Sequence, residues 1–519
     1  KNGGKIISVN PLEEAGLIRF KDPQTLHGTL GRGVSMTDVF LQVKINQDVA
    51  LLKLILKKLA AIDKENSEVF DHEFIREQTE GYEALISDLA TYDENQLLQQ
   101  CGVSADAINQ AVELLATRKR IIICWAMGLT QHKNGVENIK ECVNLLLLKG
   151  SIGRKGSGTC PVRGHSNVQG DRTVGIMHYV SESLNRSIKE VFGFTPPDEE
   201  GVDTVKAMEA MYEGSAKVFV SLGGNFVSAA SDTHYTAKAL QNCELTVCVS
   251  TKLNRTHMIT GETAIILPTL GRSEQDIRDG KKHYITVENS MGRVHRSAGI
   301  LPPVAENLKS EPVIIGELAA AYFRLNPEKE AAKVDWIRLG SDYEVLRDKI
   351  SKIIDGFEAY SKRSEGHGFL LPNNARERDF SSLPNGKAVL SICKTAAHQT
   401  ADDEFILMTI RSHDQFNTTI YGLNDRYRGI YNGRRIVFIS PNDLEKHRLK
   451  ANQMIDLTSN YDNIRRVAEH FMLVPYNIPE GNLAAYFPET NVLVPYNHYA
   501  DRSHTPISKS VVVKISPRS

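Results

Sequence analysis

Seven cysteines (Cys101, Cys124, Cys142, Cys160, Cys243, Cys248 and Cys393) form no C-x-x-C pair. That removes, within this chain, the usual spacing for an iron–sulfur cluster or structural zinc. Most of them stand among apolar residues, so buried thiols in a reducing compartment, the cytoplasm, are expected. No phosphate loop ending in Lys-Ser or Lys-Thr occurs, and no compact dinucleotide fingerprint follows a strand, so neither common nucleotide motif applies. No apolar run approaches the ~20 residues that span a bilayer, and no signal peptide precedes the first strand, so no membrane insertion is expected. Lys and Arg total 62 against 63 Asp and Glu. This balance gives no reason to expect nucleic acid or an anionic membrane as partner.

What the chain does have is concentrated in Gly150 to Asp171, G-S-I-G-R-K-G-S-G-T-C-P-V-R-G-H-S-N-V-Q-G-D. Six glycines (Gly150, Gly153, Gly156, Gly158, Gly164 and Gly170) exclude a regular helix or core strand; glycine serves where φ is positive or something bulky comes close. Arg154, Lys155 and Arg163 beside exposed N–H groups suit an anion such as phosphate. His165, Ser166, Asn167, Gln169 and Asp171 add a mixed donor and acceptor set that can match the edge of a heterocycle. Together these groups point to a nucleotide-like cofactor.

At about 150 residues per domain the 519 residues should hold three to four domains. Lys5 to Asn10 reads as a buried strand running into Pro11, and Gly31 to Val43 as a loop and short strand. Helical spacing marks Asp48 to Asp63, Phe70 to Leu89 and Ser104 to Arg118, with Ser104 as cap. Arg120 to Ala126, Lys217 to Leu222, Leu245 to Ser250 and Ala264 to Leu267 read as strands, and Gly135 to Lys149 as a returning helix. Apolar strands alternating with helices predict a parallel sheet covered on both faces, with ligands at the carboxyl ends of its strands. From Asp279-Gly280 to Leu308 the chain reads as irregular and basic. Glu311 to Arg324 and Asp342 to Ala359 read as helices, and Ser361 to Pro384 as a linker. Beyond it six short strands are expected: Ala388 to Cys393, Phe405 to Ile410, Arg435 to Ser440, Met454 to Leu457, Arg465 to Val474 and Ser510 to Ile515. Six such strands close most economically as a barrel.

Three runs, M-G-L-T-Q-H (Met127 to His132), G-S-I-G-R-K-G-S-G (Gly150 to Gly158) and P-V-R-G-H-S-N-V-Q-G-D (Pro161 to Asp171), resemble the signature of molybdopterin oxidoreductases, nearest to formate dehydrogenase alpha subunits. Further runs, Gly223 to Asp232, Ser250 to His257, Ile266 to Asp276 and Thr409 to Thr418, extend the resemblance over essentially the whole chain. It implies doubly wound, mostly parallel, Rossmann-like α/β sheets with a C-terminal six-stranded double-psi-like β-barrel. The domains expected are residues 1–165 and 166–362 as cofactor-binding α/β domains, 363–386 as linker and 387–519 as the barrel.

The resemblance further implies a molybdenum or tungsten bis-molybdopterin guanine dinucleotide, a small oxyanion substrate such as formate, and an electron-transfer protein or subunit as partner. Arg163 matches the family's active-site arginine, able to hold a carboxylate by two parallel hydrogen bonds. His165 stands where formate dehydrogenases often have glutamine, and Cys160 where asparagine is common. Asn10, Pro11, Gly128, Gln131 and His132 would approach one guanosine end. Gly164, Asn167, Gln169, Gly170 and Asp171 complete the central run, and Gly223, Asn225, Ser250, Lys252, Asn254 and Asp276 would hold the second dinucleotide. Arg411, Ser412, Asp414, Gln415, Asn417, Asn491, Asn497 and Lys509 would close over the pterins from the barrel. An upstream portion is expected to carry the metal-ligating cysteine or selenocysteine and any 4Fe–4S cluster; no metal ligand is expected in this chain, nor activity of it alone. Two other readings stand beside formate oxidation: reduction of nitrate or another oxyanion, and a non-catalytic scaffold subunit of a respiratory complex.

Overall fold

The longest helix, Asp48–Asn66, forms where the spacing predicts it and ends at Ser67, whose N–H donates to Asp63 O at 2.7 Å. Its Leu51, Leu54, Leu56 and Leu59 are at most 1% exposed and pack with Leu145, Leu146, Leu147 and Leu148 of the helix Gly135–Leu148. Each such leucine contributes about 1.5–3 kcal/mol by leaving water. The computed structural model describes residues 3–518 apart from 23, 25–30, 32, 166, 397–399 and 419. It divides into two units, Lys1–Cys160 with Ser228–His234 and Asn374–Ser519, and Pro161–Val227 with Tyr235–Asn373.

In the first unit Ser104 caps Ala105–Thr117 as expected, its side chain accepting from the Ala107 N–H. The single helix expected over Phe70 to Leu89 is instead two, His72–Gln78 and Tyr82–Thr91, separated by Gly81. Gly81 sits at φ 88°, and a Cβ there would lie 2.7 Å from the Leu390 carbonyl oxygen. Between the helices Thr79–Glu80 pairs in parallel with Ala388–Val389. Gly81→Ala is therefore expected to destabilise the protein by about 1–3 kcal/mol, read as a fall in the urea midpoint; an unchanged midpoint would contradict that close approach. A further helix, Glu94–Cys101, is unforeseen by the spacing, although Asp93 caps it and Gly102 (φ 72°) stops it.

The barrel closes, in the order Glu404–Ile410, Asn482–Tyr486, Ile436–Ile439, Ile464–Pro475, Met454–Tyr461 and Val511–Pro517. Five of the expected strands are in it. The sixth is Asn482–Tyr486 rather than Ala388 to Cys393, which lies outside the barrel beside Thr79–Glu80. All five residues of N-L-A-A-Y are buried. Such a strand has no alternation of polar and apolar positions to reveal it.

The second unit holds a three-stranded parallel sheet, Val218–Leu222, Leu245–Ser250 and Thr263–Pro268, with Leu245–Ser250 central. Coverage of both faces does not follow from the apolar runs. Val218 is 56% and Leu222 52% exposed, as Ile122 is at 57% on the short strand Ile122–Trp125 of the first unit. The region expected to be irregular contains two hairpins. Asp276–Arg278 pairs with Lys281–His283 through Asp279 (φ 49°) and Gly280 (φ 73°), and Ile285–Glu288 pairs with Arg293–Ser297. Two successive positive φ values make the first a primed turn, whose twist suits a hairpin. Phe369–Leu370, within the expected linker, adds a third strand to the second hairpin. The helix expected over Asp342 to Ala359 is shorter, Tyr343–Ile353, and Gly356 at φ 87° lies just beyond it. Among the described residues no helix is long and apolar enough to cross a membrane. Five cysteines are buried as expected, but Cys124 is exposed and Cys160 half-buried.

Candidate cofactor site

The glycine-rich stretch serves two different purposes. In its first half Gly150 (φ 57°) and Gly153 (φ 70°) are packing positions: a Cβ would lie 2.2 Å from Asp71 Oδ2 and 2.3 Å from Arg378 Cγ respectively. Arg154 is committed to Asp71 at 2.6 Å, so it is not the open anion-binding cation expected of it. Lys155 and Gly156 are exposed.

The second half belongs to the other unit, where Arg163, Gly164 and His165 are exposed and the Arg163 N–H donates to Ser290 Oγ at 3.4 Å. Ser166 lies outside the described residues. Asn167, at φ 61°, starts the helix Val168–Thr173 and donates from Nδ2 to Asp171 Oδ1 at 3.2 Å. Its Oδ1 accepts from the Glu288 N–H at 3.0 Å, and Gln169 Nε2 donates to Glu288 Oε1 at 2.9 Å. Gly170 is buried, and a Cβ would sit 2.0 Å from Asn167 Oδ1, so only glycine leaves the asparagine amide in place. Sequence reasoning missed Glu288; the alternation in I-T-V-E before the turn N-S-M-G was the available signal.

In the same unit the carboxyl ends of the parallel strands carry a second set. Gly223 and Gly224 take φ 71° and 80°; a Cβ would meet nothing within 4 Å at Gly224 and only Glu311 Oε1, at 3.9 Å, at Gly223. Asn254 Nδ2 donates to Gly224 O at 2.7 Å, and the Thr256 hydroxyl to Asn225 Oδ1 at 3.1 Å. His257, unassigned from the sequence, completes a capping box with Asn254 and meets Ser250 Oγ from Nε2 at 3.1 Å. Thus Gly223, Asn225, Ser250 and Asn254 are brought together, with Lys252 exposed beside them. Asp276 has a separate setting, accepting from Arg278 at 3.1 Å and the Tyr343 hydroxyl at 2.7 Å. A cavity of about 800 Å³, lined by Thr251, Pro268, Thr269, Arg272, Ser273 and Leu301 among others, opens past the ends of two of the strands. Its place is the one an open parallel sheet offers a ligand.

In the first unit His132, 2% exposed, meets Gly128 O from Nε2 at 2.8 Å and Ser510 Oγ from Nδ1 at 3.0 Å. Beside it the Lys509 N–H donates to Gln131 O at 3.2 Å, and the Lys509 ammonium to Thr409 O. Burial, with the Arg411 cation adding to it, brings the Lys509 ammonium down to about 8. Ser412 and Gln415 build the loop after Glu404–Ile410. Gln415 Oε1 accepts from the Ser412 N–H at 3.0 Å, and its Nε2 donates to Asn417 O and Phe487 O, each at 2.7 Å. Asn491 Nδ2 donates to Ser228 O at 2.7 Å. Asn497 Oδ1 is buried with no hydrogen-bond partner in the structure, an acceptor fit for a ligand N–H. Arg411 is half-buried and Asp414 exposed. Asn10 and Pro11 are turned to their own loop: Asn10 Nδ2 donates to Leu12 O at 2.9 Å, and Pro11 O accepts from Gln42 at 3.1 Å.

Two buried cations in this unit escaped the sequence reading. Arg428 pairs with Asp425 and, through both carboxylate oxygens, with Glu14, all at 2.7 Å. Arg434 pairs with Glu489 at 2.6 Å and donates to Gln415 Oε1 at 3.0 Å. Runs such as D-R-Y-R read as solvated loop, and nothing local marks these arginines as buried.

Positive-φ glycines facing open space, a cavity beyond parallel strands and an unpartnered buried amide oxygen define a protein built to hold a large polar cofactor with a nucleotide tail. Comparison with known proteins agrees. The molybdopterin oxidoreductase family profile matches residues 7–321, and that described as "Molydopterin dinucleotide binding domain" matches residues 405–517. The chain belongs to the molybdopterin oxidoreductase family. An uncharacterized oxidoreductase of Mycobacterium tuberculosis is 43% identical over 99% of this chain and 66% of its own length. Protein YdeP of Escherichia coli is 37% identical over 100% and 69% respectively. The F420-dependent formate dehydrogenase 1 subunit alpha of Methanococcus maripaludis is 29% identical over 81% and 61%. The chain thus spans about two thirds of these relatives. Acetylene hydratase from Pelobacter acetylenicus shares the fold, with a TM-score of 0.62, 16% identity and coverage of 99% of this chain and 74% of its own. Among the described residues no three His, Cys, Asp or Glu side chains converge to hold a metal.

Proposed function

We propose that the protein oxidises or reduces a small oxyanion, formate first, at a molybdenum or tungsten centre carried by two molybdopterin guanine dinucleotides. The observation that carries this reading is Arg163, an exposed arginine whose guanidinium enters no hydrogen bond or ion pair among the described residues, on a loop held by buried hydrogen bonds. The metal–dithiolene group, when bound, supplies the two-electron chemistry. Arg163 would hold two substrate oxygens through paired N–H donors, fixing the substrate's orientation and offsetting its charge. His165 would hold a proton at an imidazole nitrogen beside it. Gly223, Asn225, Ser250, Lys252 and Asn254 would bind one dinucleotide tail; Gly128, Gln131, Arg411, Asn497 and Lys509 would bind pterin and tail atoms from their own unit. Oxidation of formate releases carbon dioxide, one proton and two electrons, and the electrons would pass to a separate electron-transfer protein or subunit. The free, largely buried thiols support a reducing compartment such as the cytoplasm.

Metal and pterin analysis of the purified protein tests the reading. About one metal and two pterins per chain are expected, followed by turnover with formate or, in reverse, with nitrate. Protein free of both, from a host that makes the cofactor, would favour the scaffold reading instead.

A further inference from the structure

Glu288 is 6% exposed at the end of the strand Ile285–Glu288, and three of its bonds go to one short segment of chain. Its N–H donates to Asn167 Oδ1 at 3.0 Å; Oε1 accepts from Gln169 Nε2 at 2.9 Å and Oε2 from the Thr173 hydroxyl at 2.6 Å. Thr173 Oγ1 also lies 3.1 Å from Gln169 O, but a hydroxyl has one proton, and the shorter, charge-assisted bond takes it. No ion pair among the described residues includes Glu288. A buried carboxylate without a cation is costly to keep. Its two oxygens face two donors, a task that an amide, with one oxygen and one NH₂, meets only in part.

We infer that Glu288 is a positioning residue for the oxyanion site: it fixes the helix Val168–Thr173, and through Asn167 the exposed loop that presents Arg163 and His165. The inference rests on the proposed reading of that loop as the substrate site. Glu288 hydrogen-bonds neither exposed side chain, so it acts through the backbone that carries them. The same hairpin also meets the loop from its turn, where Ser290 Oγ accepts from the Arg163 N–H.

Amide hydrogen exchange and steady-state kinetics of Glu288→Ala and Glu288→Gln test this together. In Glu288→Ala, amides over 167–174 should exchange roughly tenfold to hundredfold faster, the loss expected from orphaning buried donors, while the barrel strands keep their protection. In Glu288→Gln the Thr173 hydroxyl can turn to accept from the new NH₂, so exchange should fall between that of the parent and that of the alanine variant. KM for formate or nitrate should rise at least about tenfold in the alanine variant and recover in part in the glutamine variant. Unchanged exchange over 167–174, or equal loosening in the barrel, would overturn the positioning role. Local loosening with KM and kcat unchanged would overturn its link to the substrate. Protein without metal or pterin would instead remove the reading of the site and leave the exchange result standing.

Discussion

Replacing Arg163 with lysine is expected to leave metal and pterin content unchanged and to lower kcat/KM for a small oxyanion by roughly 10²–10³-fold, the loss typical of one well-placed charge-stabilising donor. The positive charge survives this substitution, but the planar fork of parallel donors does not. Arg163 lies on an exposed loop and touches no core residue, so its folding contribution is small and the loss should be kinetic. Parent-like turnover by Arg163→Lys would remove this residue from the chemistry. A parallel loss of bound pterin would give it a cofactor-holding role instead.

Arg428→Met should destabilise the protein by about 3–5 kcal/mol at neutral pH, the range for breaking a buried ion pair from one side. Arg428 and Asp425 have side chains 4% and 1% exposed, and Glu14 adds a second carboxylate. Removing the cation leaves both carboxylates facing an apolar methionine. Burial pushes the Asp425 carboxyl up, but the Tyr486 hydroxyl, Arg428 and His413 together outweigh it and hold it below the ordinary carboxylate range. A lowered folded value means that this stabilisation is present above the ordinary carboxylate value and is lost as the pH falls through the lowered one. In the variant Asp425 should protonate more readily, so the deficit should shrink as the pH is lowered from 7 into the carboxylate range. Urea unfolding at several pH values measures this; a deficit below about 1 kcal/mol at pH 7 would mean that the network is solvated.

Much of this architecture was legible because periodicity carries it. Helix Asp48–Asn66, the capped helix after Ser104, the three parallel strands and five of the six barrel strands follow from spacing and turn residues alone. What failed did so for identifiable reasons. Asn482–Tyr486 is buried along its whole length and shows no alternation, whereas Ala388 to Cys393 looks like a strand but pairs elsewhere. Gly81 inside an apolar pattern was the only local sign of a helix break. In the site, the loop carrying Arg163 could be found from composition, but composition could not separate Arg154, spent on Asp71, from an arginine left exposed. Glu288 and Arg428 depend on partners 115 to 414 positions away in sequence, which no window of local pattern contains.

The closing of the barrel also sets an order of events during synthesis. Glu404–Ile410 finds one neighbour in Asn482–Tyr486 and the other in Val511–Pro517, so the ring cannot shut until nearly all of these 519 residues have left the ribosome. The unit it belongs to also contains the first 160 residues, whereas every residue of the other unit has been made by position 373. The first stretch translated is therefore among the last to find its full set of neighbours. Until then its apolar surface and the open strand edges must be shielded by chaperones or by slow elongation.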